Sequence, residues 1–184
     1  MKELMLQSFE RFVQEHKAIF EEEDVYGVAI YLLPSMRSLC CVIGTYQRLN
    51  TCATEYYSLG YRNNKTQDAS GFDTWMKWSG PEESAWVGIH SNAFDAFNDE
   101  MLVKIQRKEL KESTSSLGNL LVENSESIRA LFPVKNIPII CTYDWFNLEL
   151  KRFNQKLNPD QVYKTYVAEL NATLAMQKEI TRPR

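Results

Sequence analysis

Met5, Phe9, Phe12, Val13, Ile19 and Phe20, with His16 among them, recur at steps of three and four, which predicts an amphipathic helix with a single apolar stripe over about the first twenty residues. The acids Glu21, Glu22, Glu23 and Asp24 follow where a helix's carbonyl end disfavours negative charge, and so mark its stop. Val25–Leu33 and Ser38–Thr45 are rich in β-branched, aromatic and aliphatic residues and flank Pro34-Ser-Met-Arg37. They predict an antiparallel hairpin. Their nearly continuous apolar content is that of strands covered on both faces, with Gly27 and Gly44 marking bulges or close approach.

The period returns to helical over 46–59, with Leu49, Cys52, Ala53, Tyr56 and Leu59 on one side and Gly60 as a C-terminal cap. Residues 62–71 are polar and predict a mobile loop, able to act as a lid if it folds over the tryptophans that follow it. Residues 72–78 alternate as a third strand would, with Phe72, Thr74, Met76 and Trp78 on one face and Asp73, Trp75 and Lys77 on the other. Ser79-Gly-Pro-Glu82 has the chemistry of a capping box, and predicts a short helical turn carrying Trp86. Ser91 or Asn92 then caps a helix bearing Phe94, Phe97, Met101, Leu102 and Ile105. A break at 113–116 precedes another helix that ends before Pro133. The last strand is predicted over 136–143, with Pro138 pointing to a strand start or a sheet edge. Asp144 caps a further helical segment, and Asn158-Pro159 opens the last helix. The expected fold is a single α+β domain over 1–184, with a small, mostly antiparallel sheet of four or five strands flanked by helices and a helical C-terminal tail.

Composition narrows function mainly by exclusion. The 184 residues are 44% apolar and 24% charged, enough to bury a core without metal or disulfide. Twenty-one basic residues against twenty-four acidic ones give a net charge of -3, the wrong sign for a phosphate-backbone footprint, so nucleic acid is not an expected partner. Cys40, Cys41, Cys52 and Cys141 have no framework spacing and read as reduced core thiols. With no apolar signal core and no membrane-length run, the expected location is the cytoplasm, away from membranes. HExxH, paired CxxC, Walker, GxGxxG and GxSxG patterns are absent from the sequence, and no cofactor is predicted.

Candidate chemistry gathers around Trp75, Trp78 and Trp86. Trp78 shares a predicted strand face with Phe72 and Met76 and reads as core. Trp75 and Trp86 read first as further core residues; if their indoles are exposed, Asp73, Trp75, Glu82, Glu83 and Trp86 form the candidate interface, large aromatics beside acids of the kind that anchors a protein contact. The same acids could instead serve as general acid and base on a carbohydrate-like substrate with tryptophans as platforms. A Cys141–His90 nucleophile is disfavoured by the apolar flanks of Cys141. A structural adaptor is the third alternative.

The leading helix, Tyr26-Gly-Val-Ala-Ile-Tyr31, Trp75-x-x-Trp-Ser-Gly-Pro-Glu-Glu-Ser-Ala-Trp86, Phe94-Asp-Ala-Phe-Asn98 and Ile139-Ile-Cys-Thr-Tyr-Asp144 occur in an order spanning most of the chain. In this the chain resembles bacterial single-domain proteins of unknown function, and more loosely the SUKH-type immunity proteins. The resemblance implies an α+β domain without catalytic residues, and in the looser case one that binds and neutralises a competitor's toxin. The mild charge runs against inhibition of a nuclease, whose inhibitors are often strongly acidic. The expected activity is therefore non-catalytic binding of a protein partner.

Overall fold

In a computed structural model, which describes residues 1–33, 38–78, 85–110, 114–142 and 148–181, the leading apolar stripe folds as helices α1 (Lys2–Glu15) and α2 (Lys17–Glu22), broken at His16. Strands β1 (Val25–Leu33) and β2 (Ser38–Thr45), helix α3 (Tyr46–Ser58), strand β3 (Arg62–Asn63), helix α4 (Phe72–Lys77) and strand β4 (Trp86–Val87) follow. A 3-10 turn, Asn92–Phe94, leads into α5 (Asp95–Gln106), and then come α6 (Thr114–Glu123), α7 (Ser125–Leu131), β5 (Ile139–Thr142), α8 (Leu148–Leu157), α9 (Asp160–Gln177) and β6 (Ile180–Thr181).

The fold is α+β. Its main sheet has the order β4-β2-β1-β5, with β1–β2 and β2–β4 antiparallel and β5 parallel to β1. Helices cover both faces, which is why the hairpin reads as apolar throughout. Val28, Ile30 and Leu32 join Phe9, Phe12, Phe97 and Phe153 in one core. Tyr26, Ala29 and Tyr31 join Leu49, the α4 residues Phe72, Trp75 and Met76, and Tyr166 of α9 in the other. A register shift between Val25 and Gly27 lets Tyr26 and Val28 turn to opposite faces despite their even spacing.

Asparagine side chains bond to the open ladder of β5 and to that of β2 where it runs past β4. On the outer edge of β5, Asn158 accepts from Ile139 N at 2.8 Å and donates to Ile139 O at 2.7 Å, while Asn154, one helical turn earlier, does the same for Cys141 at 2.6 and 3.2 Å. On β2, beyond the short reach of β4, Asn98 accepts from Leu39 N at 2.8 Å and donates to Leu39 O at 3.0 Å. The exposed ladder of an edge strand is thereby satisfied within the chain.

Several local expectations change. Residues 72–77 are helix α4, not a strand: Phe72, Trp75 and Met76 lie at i, i+3 and i+4 and are all buried, while Asp73 and Lys77 sit at the ends that the helix dipole favours. Six residues satisfy the period of two and that of 3.6 almost equally. The segment 62–71 is not a loose lid. Its start pairs with the chain's end as β3–β6, Asn63 is buried and donates to Ser70 O at 2.9 Å, and Asp68 accepts from Ser70 N at 2.8 Å. The helix expected before Pro133 divides at Asn124, which is buried and donates to Leu120 O at 2.8 Å. Trp86 stands on strand β4 rather than on a helical turn. The capping sequence at 79–82 and the Asp144 cap fall outside the described residues.

Candidate functional site

The tryptophans are structural. Trp78 is buried with Nε1–H donating to Glu169 Oε2 at 3.0 Å, and its ring meets Tyr166 edge-on at 4.9 Å and Tyr26 at 5.5 Å. Trp75 is only 5% exposed, stacked on Tyr61 at 5.8 Å and meeting Tyr56 edge-on at 5.5 Å. Trp86 is 6% exposed against Tyr26 and Trp78. The candidate interface required Trp75 and Trp86 in solvent, so the patch of Asp73, Trp75, Glu82, Glu83 and Trp86 is not assembled by them. Asp73 is exposed on the first turn of α4, and Glu82 and Glu83 lie outside the described residues. The burial of these indoles also removes the sugar platforms that the carbohydrate reading needed.

Two clefts flank the aromatic core. The first, of about 610 Å³, lies where the start of β1, the end of α4 and the first turns of α9 meet. Its centre is Lys77, whose Nζ donates to Glu169 Oε1 and to Tyr46 Oη, both at 2.7 Å, and lies 4.7 Å from the Tyr46 ring centre and 5.3 Å from that of Tyr26. Glu169 is thus held by Lys77 on one oxygen and by Trp78 on the other. Val25, Ile137, Pro138, Pro159 and Val162 supply apolar walls, and Asn136, Gln161 and Thr165 polar ones. Tyr26 forms part of the lining; its hydroxyl is buried against Gly44 without a hydrogen-bond partner among the described residues, and burial pushes its pKa well up.

The second cleft, of about 730 Å³, is more open and brings together both histidines. Arg11, Glu15 and His16 come from the end of α1, Arg48 from the start of α3, and Trp86, Ile89, His90 and Ser91 from β4 and the turn after it. His16 Nδ1 donates to Phe12 O at 2.9 Å and its ring lies on that of Phe12, centres 4.4 Å apart. Ser91 caps the 3-10 turn and donates to Glu15 Oε2 at 2.7 Å. That bond, with the Arg11 guanidinium at 2.8 Å, holds the Glu15 carboxyl below its ordinary range. Arg48 reaches Glu23 at 3.1 Å through Nη2, while its Nε–H is buried with no partner among the described residues. Ile89 is 44% exposed and His90 is exposed beside it.

Of the described residues of the candidate interface, Trp86 lines this cleft. Lys77, Tyr46 and Glu169, like Arg11, Arg48 and Ile89, carried no local signal, because the two members of each ion pair that matter most lie far apart in sequence. Cys141 and His90 do not form a nucleophilic pair: Cys141 is in the core, where burial raises its pKa, while His90 is exposed. Burial likewise pushes the Cys40 thiol up to about 11. Among the described residues, no group of three or more His, Cys, Asp or Glu side chains could hold a metal ion, and no helix is long and apolar enough to cross a membrane.

No family model matches the chain, and no curated protein or solved structure is matched by it.

Proposed function

We propose that the protein acts by binding, without catalysis, and that it takes an acidic segment of a partner protein across the His16–His90 cleft. The observation that carries the reading is the exposed Ile89 set among Arg11, Arg48, His16 and His90, with Glu15 the one acid among the described lining residues. An apolar anchor ringed by polar and cationic groups is the arrangement of a small protein interface. The guanidinium groups of Arg11 and Arg48 carry more N–H donors than their pairs with Glu15 and Glu23 use, so a partner's carboxylates can join them. The resemblance to immunity proteins makes a bacterial toxin one partner of this kind.

The test is a titration of isotope-labelled protein with an acidic peptide containing one leucine, against a lysine-substituted counterpart. The acidic peptide is expected to shift the amides of 88–92 and the His16 and His90 rings, with at least tenfold weaker binding to Ile89→Asp. Equal binding of the lysine peptide, or shifts confined to other surfaces, would count against the proposal. A partner captured from the native host should then be lost with Ile89→Asp, a surface change that leaves the folding transition in place.

A further inference from the structure

The Lys77 cleft is separate from the one just described and shares no lining residue with it. We infer that it is a binding site for a small neutral molecule carrying an amide-like edge, a hydrogen-bond donor beside an acceptor, on an apolar body. Its volume, about 610 Å³, falls among those of small-molecule sites, and it has their composition: mostly apolar walls with a few convergent polar groups.

The head-group chemistry follows from the accounting of hydrogen bonds around Lys77. The ammonium has three protons, and two are taken by Glu169 Oε1 and Tyr46 Oη. Tyr46, accepting from Lys77, keeps its own O–H to donate. Glu169 keeps lone pairs beyond those used by Lys77 and by Trp78 Nε1. Donors from Lys77 and Tyr46 therefore stand beside acceptors on Glu169, all converging on one ammonium with both contacts at 2.7 Å. The ion pair cancels its own charge, so a charged ligand head would meet a like charge as well as an opposite one. A neutral edge with both a donor and an acceptor meets neither penalty. The apolar body has a place on Val25, Ile137, Pro138 and Val162.

Trp78 provides a specific readout, because its indole N–H donates to the same carboxylate. Benzamide is the probe, with benzoate and benzylamine as charged controls of nearly the same shape. Benzamide is expected to move the Trp78 indole resonance in a saturable way with a Kd on the order of 1 mM, the range for a molecule of this size. Thr165→Trp, which fills the cleft from an exposed position of α9, should weaken binding at least tenfold with an unchanged unfolding midpoint. Tyr46→Phe, which removes one donor, should weaken it several-fold. Benzoate or benzylamine binding as tightly would overturn the neutral-head assignment. Failure of benzamide to move the Trp78 indole, or binding unaffected by Thr165→Trp, would overturn the site.

Discussion

Trp78 lies so close over Gly27 that a Cβ there would stand 2.6 Å from Cη2, and the Tyr26 ring covers Gly44 in the same way, at 2.4 Å. These glycines are spaces for rings rather than hinges. Gly27→Ala must push the indole out of a filled core, and is expected to cost about 1–3 kcal/mol in urea unfolding, with a red shift of tryptophan emission in the native state. Asp68 makes the other residue-scale prediction. Hydrogen bonds from Ser70, then from the Thr66 hydroxyl, lower its pKa from an ordinary 3.8 to about 2. Because the folded value is the depressed one, the contribution of these bonds is fully present above 3.8 and is lost as pH falls through about 2. A titration following the Ser70 amide should find its midpoint near 2, and a midpoint at 3.8 would show that the turn does not hold the carboxylate. Both residues were visible in the sequence as a glycine in a strand and an acid in a polar stretch. Their partners, 51 and two positions away respectively, decide what they do, and only the nearer is a local matter.

At the scale of elements, β5 shows how an edge strand can be closed without another strand. Asn154 on α8 and Asn158 just past its end, four residues apart, supply β5 with the bonds a fifth strand would have made. Asn158→Ala leaves the Ile139 N–H and C=O buried without that partner, and should lower stability by about 1–3 kcal/mol for the orphaned groups. Asn98→Ala, at the part-buried clip on β2, should cost less. Chemical denaturation ranks the two, and amide exchange at Ile139 locates the loss; an equal cost would show that burial is not what sets it. The helices α3, α5 and α9 are legible from period because each is long enough to separate 2.0 from 3.6, and the hairpin β1–β2 from its continuous β-branched and aromatic runs. Helix α4 is not: over Phe72–Lys77 both periods bury Phe72 and Met76, and packing of Trp75 under Tyr56 and Tyr61 selects the helix.

Across the whole molecule, the sheet separates two cores, and the clefts open where elements from distant parts of the chain converge. The proposed occupants differ in charge, so their salt dependence should differ. Raising salt from about 0.05 to 0.5 M should weaken the acidic peptide severalfold through screening and leave benzamide nearly unchanged. Fluorescence and chemical-shift titrations of both ligands on one sample check this, and equal salt sensitivity would contradict one assignment or both. The order and spacing of apolar residues determined the α+β class and the buried hairpin, because each rests on periodicity or on burial of a strongly apolar run. Trp78 is core as expected, but from the end of a helix and not from a strand face, and Cys40 is only half-buried where Cys41, Cys52 and Cys141 are core. The tertiary structure alone decided that Trp75 and Trp86 are both buried, that α4 is a helix, that His16 and His90 line one cleft, and that Lys77 meets Glu169 at the other. Those outcomes depend on contacts between residues tens of positions apart, and no local pattern of side chains encodes which distant surface will arrive to cover them.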